Sequence, residues 1–238
     1  MYLGKSVSIV FPVFNEAGNV KRAIEAFLAH PAVDELVAVD NNSTDGSDLE
    51  IKKTAARYVN EPVQGYGAAM QRGMGEAAGD IIVTVEPDGT FRPEDLDRFL
   101  VYGRDYEVVL GTRTARVLIW TGGDMDLPLR LGNLVVAKYL EFLFSGPSLT
   151  DVGCSYKLIH RAAYEKVKNS FAVTGWHFSP DFMMQVLIKR LSIVEIPIQF
   201  QSRVGASKLG GIRWKAILLG FRMLLFITIT RLKHLKNP

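Results

Sequence analysis

At 238 residues with 48% hydrophobic content, the chain can bury the core of one large α/β domain or two small ones, and its composition excludes a disordered or repetitive polymer. Its formal net charge of +3 is too small, and its Lys and Arg too dispersed, for a nucleic-acid-binding surface, so no nucleic acid is expected as a partner. A single cysteine, Cys154, excludes an internal disulfide, reads as a packing residue and, without clustered histidines, argues against zinc.

The opening MYLGKSVSIVFPVF lacks the basic stretch, long apolar core and cleavage site of a secretory leader, which implies a chain that stays on the cytoplasmic side. Residues 6–14 (SVSIVFPVF) read as a buried strand and 18–30 (GNVKRAIEAFLAH) as an amphipathic helix. A second strand follows at 34–40 (DELVAVD), then a helix over 43–58 (STDGSDLEIKKTAARY) with Ser43 or Thr44 available as its cap. The rhythm continues with a glycine-rich helix over 65–79, a strand over 80–86 (DIIVTVE), a helix over 92–103 opened by Pro93 and a strand over 106–113 (YEVVLGTR). Strands separated by helices of this length imply right-handed crossovers and a mainly parallel α/β sheet, with ligands at the carboxyl ends of its strands. Three polar clusters fall at such ends: FNE at 14–16, DNNSTDG at 40–46 and EPDGTF at 86–91.

Known nucleotide motifs do not account for them. A dinucleotide-binding turn needs G-x-G-x-x-G after the first strand, where this chain has PVFNEAGN, and no glycine-rich run ends in Gly-Lys-Ser/Thr. In the third cluster Glu86 and Asp88 sit one residue apart, so their side chains point the same way and repel. A shared cation relieves that repulsion; a solvated turn built on Pro87 and Gly89 is the alternative.

Taken together, VSIVFPVFNEAGNV, AVDNNSTDGS and GDIIVTVEPDGTFRPEDL resemble the opening strand and P-x-[FY]-N-E turn, the V-D-[DN]-x-S-x-D-G segment and the metal-binding D-x-D strand of family 2 glycosyltransferases. VVLGTR, LPLRLGN, LTDVGCSYKLIHRAAYEKV, IVEIPIQF and RVGASKLGG resemble, in order, later segments of the polyprenyl-phosphate sugar synthases, the group containing dolichyl-phosphate mannose synthase. The resemblance covers about residues 5 to 211. It implies the A-type nucleotide-sugar-binding glycosyltransferase fold and a UDP- or GDP-linked sugar as donor.

On that resemblance Glu86 and Asp88 hold Mg2+ or Mn2+, a hard cation suited to carboxylates, phosphate oxygens and water. The family's usual first Asp is Glu86 here, and a Gln often found two residues after the second is Thr90. Pro12, Phe14, Glu16 and Asp40 are assigned to the nucleoside, with loop solvation or capping as the alternative for both acids. Gly67, with Gly65, would let the backbone approach the nucleotide, although a flexible turn also explains them. Arg113 and Arg130 match positions that hold an acceptor phosphate, which suits a planar guanidinium; a solvated charge on the helix LRLGNLVVAKYLEFLF is the alternative for Arg130. Arg203, Ser207 and Lys208 match a loop closing over the diphosphate.

Asp181 follows Ser179 and Pro180 at a helix start, where an acid complements the helix dipole; it is equally a candidate general base for a hydroxyl acceptor. The tail IRWKAILLGFRMLLFITITRLKHLK is too interrupted to span a bilayer, but its apolar and basic residues suit a helix lying in the headgroup plane. A core helix or a dimer seam is the alternative, which leaves a homo-oligomer open. The expected organisation is therefore a catalytic domain over 1–211 and a membrane-interface tail over 212–238. The expected activity is inverting, cation-dependent transfer of a sugar to a polyprenyl phosphate at the cytoplasmic membrane face. Transfer to a hydroxyl acceptor, and nucleotide-sugar binding without turnover, are the competing readings.

Overall fold

The computed structural model describes residues 1–114, 127–201 and 213–236, with the backbone alone at 127–129, 213–219 and 236. Among the described residues, β1 (Val7–Val13), β2 (Glu35–Asp40), β3 (Arg57–Asn60), β4 (Ile81–Thr84), β5 (Val108–Thr112), β6 (Lys157–His160) and β7 (Ile193–Pro197) form one sheet in the order β3-β2-β1-β4-β6-β5-β7. Only β6 runs against its neighbours β4 and β5; the remaining pairings are parallel. The mainly parallel α/β sheet thus agrees with the sequence reading.

Helices cover both faces. On one, α1 (Val20–Leu28), α2 (Ser47–Lys52) and α4 (Asp95–Tyr102) bury Ile24, Ile51 and Phe99 against Ile9, Phe11 and Val83. On the other, α3 (Tyr66–Glu76), α5 (Leu127–Phe144), α6 (Arg161–Val167), α7 (Phe178–Ile188) and α8 (Arg213–Lys236) pack Met70, Leu140, Val167, Phe182 and Ile227 against Val10, Ile82 and Leu110. Central strands covered on both sides read as continuous apolar runs, which is why VSIVFPV is buried throughout. Each such Phe, Leu or Ile contributes about 1.5–3 kcal/mol by leaving water.

Three local expectations are corrected. The helix expected over 43–58 is only Ser47–Lys52, and Arg57–Asn60 is a strand at the sheet edge. Neither Ser43 nor Thr44 caps it: Gly46, at φ +89°, takes that position. Pro93 lies outside α4, accepting the Leu96 N–H in the turn that leads in.

The sheet also explains a proline inside a central strand. Asn41 N–H donates to Val13 O at 2.9 Å, so Val13 faces β2 and Pro12 faces the other side. There the ladder with β4 runs as far as the Val85 N–H, which donates to Val10 O at 3.1 Å. The next bond would need a Pro12 N–H, so the proline sits where that ladder ends. β1 connects outward to β2 on one flank while β4 lies on the other, and at such a topological switch point a crevice opens beyond the carboxyl ends.

α8 packs on α5 and α7, with Ile227 fully buried and Tyr139 of α5 hydrogen-bonded to Thr228 of α8 at 2.7 Å. Its outer side carries exposed Phe221, Leu225, Ile229, Leu232 and Leu235, spaced along one helical stripe. α5 exposes a matching stripe of Leu131, Val135 and Phe142. No helix among the described residues is long and apolar enough to cross a membrane.

Candidate active site

Two turns at the carboxyl edge lock together. Asn15, at φ +53°, accepts the Thr44 N–H on Oδ1 at 2.8 Å, and its own N–H donates to Ser43 Oγ at 3.1 Å. Glu16 N–H donates to Ser47 Oγ and Ala17 N–H to Asp45 Oδ2. These bonds fix the stretch after β1 against the stretch after β2, which brings Pro12, Phe14, Glu16 and Asp40 to one edge, with Asp40 in register with Val13. Glu16 and Asp40 are buried while Phe14 keeps an exposed ring.

Asn41, which the sequence reading passed over, ties this edge to the next segment. Its Nδ2 donates to Glu61 O and Val63 O, and its Oδ1 accepts the Gly65 N–H at 2.7 Å. The glycines that follow have a packing reason. A Cβ on Gly65 would meet Thr174 O at 2.3 Å and one on Gly67 would meet Val173 O at 2.4 Å. Their close backbone approach is to the loop before α7, where Ala68 N–H donates to Thr174 O.

Glu86 and Asp88 leave β4 into the crevice. Asp88 is 4% exposed, and its Oδ1 accepts both the Thr90 N–H at 3.1 Å and the Thr90 hydroxyl at 2.5 Å. Thr90, where the resembled family often has Gln, therefore orients the carboxylate. A half-buried Glu86 beside an oriented Asp88 is an all-oxygen donor pair, and these residues fit Mg2+ or Mn2+.

Arg113 follows β5, within reach of the Glu86 charge. Asp151 holds it through both carboxylate oxygens. Burial opposes the guanidinium's charge, but Asp151 more than offsets that and raises its pKa; burial likewise pushes Asp151 up, and Arg113 brings it below the usual carboxylate range. Arg130 of α5 donates to Thr114 O, which ties its helix to the residue that follows Arg113. Thr112, Thr114 and Thr150 form a hydroxyl cluster that ends on Glu195, whose carboxyl is pushed up by burial. Lys157, also missed, is 5% exposed at the start of β6, paired with Thr84. Its ammonium donates to Cys154 O and to Ser179 Oγ, and burial pushes its pKa down to about 8. Cys154 is a buried thiol that burial pushes up to about 12, which makes it inert packing.

Asp181 is 0% exposed. It accepts from Ala172 N–H at 2.9 Å and Gln185 Nε2 at 3.1 Å, and burial raises its pKa. It thus anchors the loop that presses on Gly65 and Gly67. Arg203, Ser207 and Lys208 lie outside the described residues.

Residues 8–168 match the family described as Glycosyl transferase family 2. The chain is 27% identical over 212 residues to the low-salt glycan biosynthesis hexosyltransferase Agl6 of Haloferax volcanii, covering 87% of this chain and 50% of that protein. It is 28% identical over 214 residues to the dolichyl-phosphate hexose transferase of the same organism, covering 87% of this chain and 88% of the relative. The chain thus spans about half the length of Agl6. Among solved structures, glucosyl-3-phosphoglycerate synthase of Mycobacterium tuberculosis, in complex with Mn2+, UDP and glucosyl-3-phosphoglycerate, has the same fold at a TM-score of 0.69 and 18% identity, covering 96% of this chain and 80% of that one. A match across most of the chain, on an A-type glycosyltransferase fold whose strand ends carry the motifs noted above, makes this protein a member of glycosyltransferase family 2.

Proposed function

We propose that this glycosyltransferase moves a sugar from a UDP- or GDP-linked donor to a polyprenyl phosphate, with inversion, at the cytoplasmic membrane face. The observation that carries the reading is the hydrogen bond from Arg130 to the carbonyl of Thr114, which ties α5 to the residue that follows Arg113. A phosphate acceptor is already ionised at neutral pH, so it needs cationic clamps more than a general base. Likeness to a dolichyl-phosphate hexose transferase supports the same acceptor class.

In this reading the interlocked turns hold Glu16 and Asp40 toward base and ribose donors, and Arg203, Ser207 and Lys208 close over the diphosphate. Glu86 and Asp88 would hold the divalent cation, which when bound neutralises charge developing on the leaving diphosphate. Arg113, kept charged and oriented by Asp151, and Arg130 hold the acceptor phosphate against the repulsion of the donor. Asp181 acts as a positioning residue through the loop before α7. The exposed stripes of α5 and α8 lie in the headgroup plane of the membrane, which makes residues 212–238 the interface tail; a homo-oligomer through the same stripes is the competing use.

The competing acceptor is a hydroxyl compound, as the name of the Mycobacterium neighbour suggests. The test is transfer from a panel of UDP- and GDP-sugars, with and without Mn2+, to a short polyprenyl phosphate and to 3-phosphoglycerate. Cation-dependent product on the prenyl phosphate alone is expected. Product on 3-phosphoglycerate alone overturns the acceptor assignment, and binding without product from any pair overturns the enzymatic one.

A further inference from the structure

A second concavity lies far from this crevice, where α5, α7 and α8 end together. The cleft of about 490 Å³ is lined by Phe144, Leu187 and Leu191 on its apolar side and by Arg190, Arg231 and His234 on its polar side. Fourteen residues of α5 separate Arg130 from Phe144, which puts the cleft about 21 Å along the helix from the acceptor arginines. Among the described residues no acidic side chain lines it. Neither arginine takes part in an ion pair among the described residues; Arg231 instead lies over the Phe144 ring, 5.3 Å from its centroid.

One of these lining cations stands on a left-handed backbone. Arg190 has φ +52° just past the end of α7, while Leu191 N–H closes back on Val186 O at 3.2 Å. This left-handed cap position is one that glycine fills without cost, and an arginine there is unfavourable. Next to the cleft-lining Arg231 and His234, α8 exposes Leu232 at 54% and Leu235 at 60%.

A cationic hollow rimmed by exposed apolar side chains matches an anion that sits at the boundary between water and hydrocarbon. We propose that this cleft binds the phosphodiester headgroup of an anionic phospholipid. The inference rests on the reading that the α5 and α8 stripes lie on a membrane, and adds to it a defined headgroup site at the end of the molecule away from the chemistry. Leu232 and Leu235 enter the acyl boundary, and Arg190 and Arg231 reach the phosphate at headgroup level. A purely structural role is the competing account, because cations near helix C-termini also complement the helix dipole.

The test uses the full chain with vesicles of phosphatidylcholine alone and of phosphatidylcholine mixed with phosphatidylglycerol. Arg190→Gly suits the left-handed backbone and so keeps the fold; Arg231→Gln is combined with it. Wild-type protein should bind the mixed vesicles about 10-fold or more tightly than the neutral ones, the scale expected when two charge-assisted contacts are added. The double variant should lose that preference while still binding neutral vesicles through its apolar stripes. A double variant that keeps the full preference overturns the site alone. Wild-type protein that binds neither vesicle overturns the membrane reading and the lipid assignment together. A thermal shift with inorganic phosphate that the double variant loses, without any vesicle preference in the wild type, assigns the cleft to a free phosphate instead.

Discussion

Asp151 grips Arg113 at three points, accepting from Nε at 2.7 Å, Nη2 at 2.9 Å and the backbone N–H at 3.0 Å. Asp151 is fully buried and Arg113 nearly so, so neither charge tolerates the loss of its partner. Asp151→Ala should cost about 3–5 kcal/mol in urea unfolding, the scale for breaking a buried pair, and Arg113→Met with Asp151→Leu should recover much of it. The pH dependence has a definite sign. Because Arg113 keeps the folded-state pKa of Asp151 below its ordinary value, the pair's contribution is complete above about pH 4 and fades only as pH falls through that lower value. An Asp151→Ala protein as stable as wild type at neutral pH would show that the pair holds nothing.

Lys157 has the opposite balance. Its partners are a carbonyl and a hydroxyl, both neutral, so the fold disfavours its charged form and its pKa falls to about 8. Unfolded, the same group titrates near 10.4. The cost of burying the cation is therefore present in full below about pH 8 and is relieved as pH rises toward 10. Wild-type protein should gain stability over that interval relative to Lys157→Met, as read from urea midpoints across the pH series. Parallel curves for the two proteins would mean that the ammonium is not desolvated as the geometry implies.

Thr90 carries a prediction about the cation. Removing its hydroxyl from Asp88 in Thr90→Val should leave the fold intact and weaken Mn2+ support of donor binding by about 10-fold, as expected when the partner of a metal-holding carboxylate is lost. Mn2+ titration of nucleotide-sugar binding, with Asp88→Asn as the null control, measures it. Unchanged Mn2+ affinity in Thr90→Val would reduce Thr90 to a turn residue.

What could be read in the sequence follows physical range. The strand-helix rhythm was legible because buried parallel strands such as VSIVFPV write themselves as continuous apolar runs, and the acids at 86 and 88 stand out because like charges two residues apart need a reason. β3 was not, since RYVN is short, mostly exposed and merges with the helix pattern before it. Nor was the pairing of Arg113 with Asp151, 38 residues apart. Lys157 reads locally as a solvated charge and is buried only because β6 enters the sheet between β4 and β5.

Gly67 shows the same limit and allows a direct test. Its constraint comes from Val173 and Phe178, remote in sequence, since an added Cβ would lie 2.4 Å from Val173 O and 2.9 Å from Phe178 Cβ. Gly67→Ala should destabilise the protein by about 1–3 kcal/mol through overpacking, even with no nucleotide present. Loss of donor affinity at unchanged stability would return Gly67 to a role at the nucleotide alone.

The acceptor class is decided by comparing Arg113 and Arg130 with Asp181. A phosphate acceptor arrives ionised, so its hold depends on guanidinium contacts and not on a base. Arg113→Ala is a poor probe, because it also strands the buried Asp151 carboxylate. Arg113→Lys retains a cation but loses the planar fork, and Arg130→Gln removes charge from a half-buried side chain whose known contact is the Thr114 carbonyl. Each should raise the apparent KM for a short polyprenyl phosphate and lower turnover by about 10- to 1000-fold, the scale of a charge-assisted contact worth a few kcal/mol. Asp181→Asn should retain most turnover. Asparagine can still accept the Ala172 N–H while its amide turns toward a flipped Gln185, and the cost of burying a carboxylate disappears. Burial raises the folded pKa of Asp181, so that cost is present above the raised value and fades as pH falls through it; the variant should therefore lose a stability gain that wild type shows on mild acidification. A hydroxyl acceptor makes Asp181 the sensitive position, because an alcohol must give up its proton to a positioned base, and an alcohol without a phosphate leaves the arginines nothing of the acceptor to hold. Matched folded samples of the three variants, assayed with one donor and one prenyl phosphate, separate the two. An inactive Asp181→Asn beside fully active arginine variants would refute the phosphate assignment.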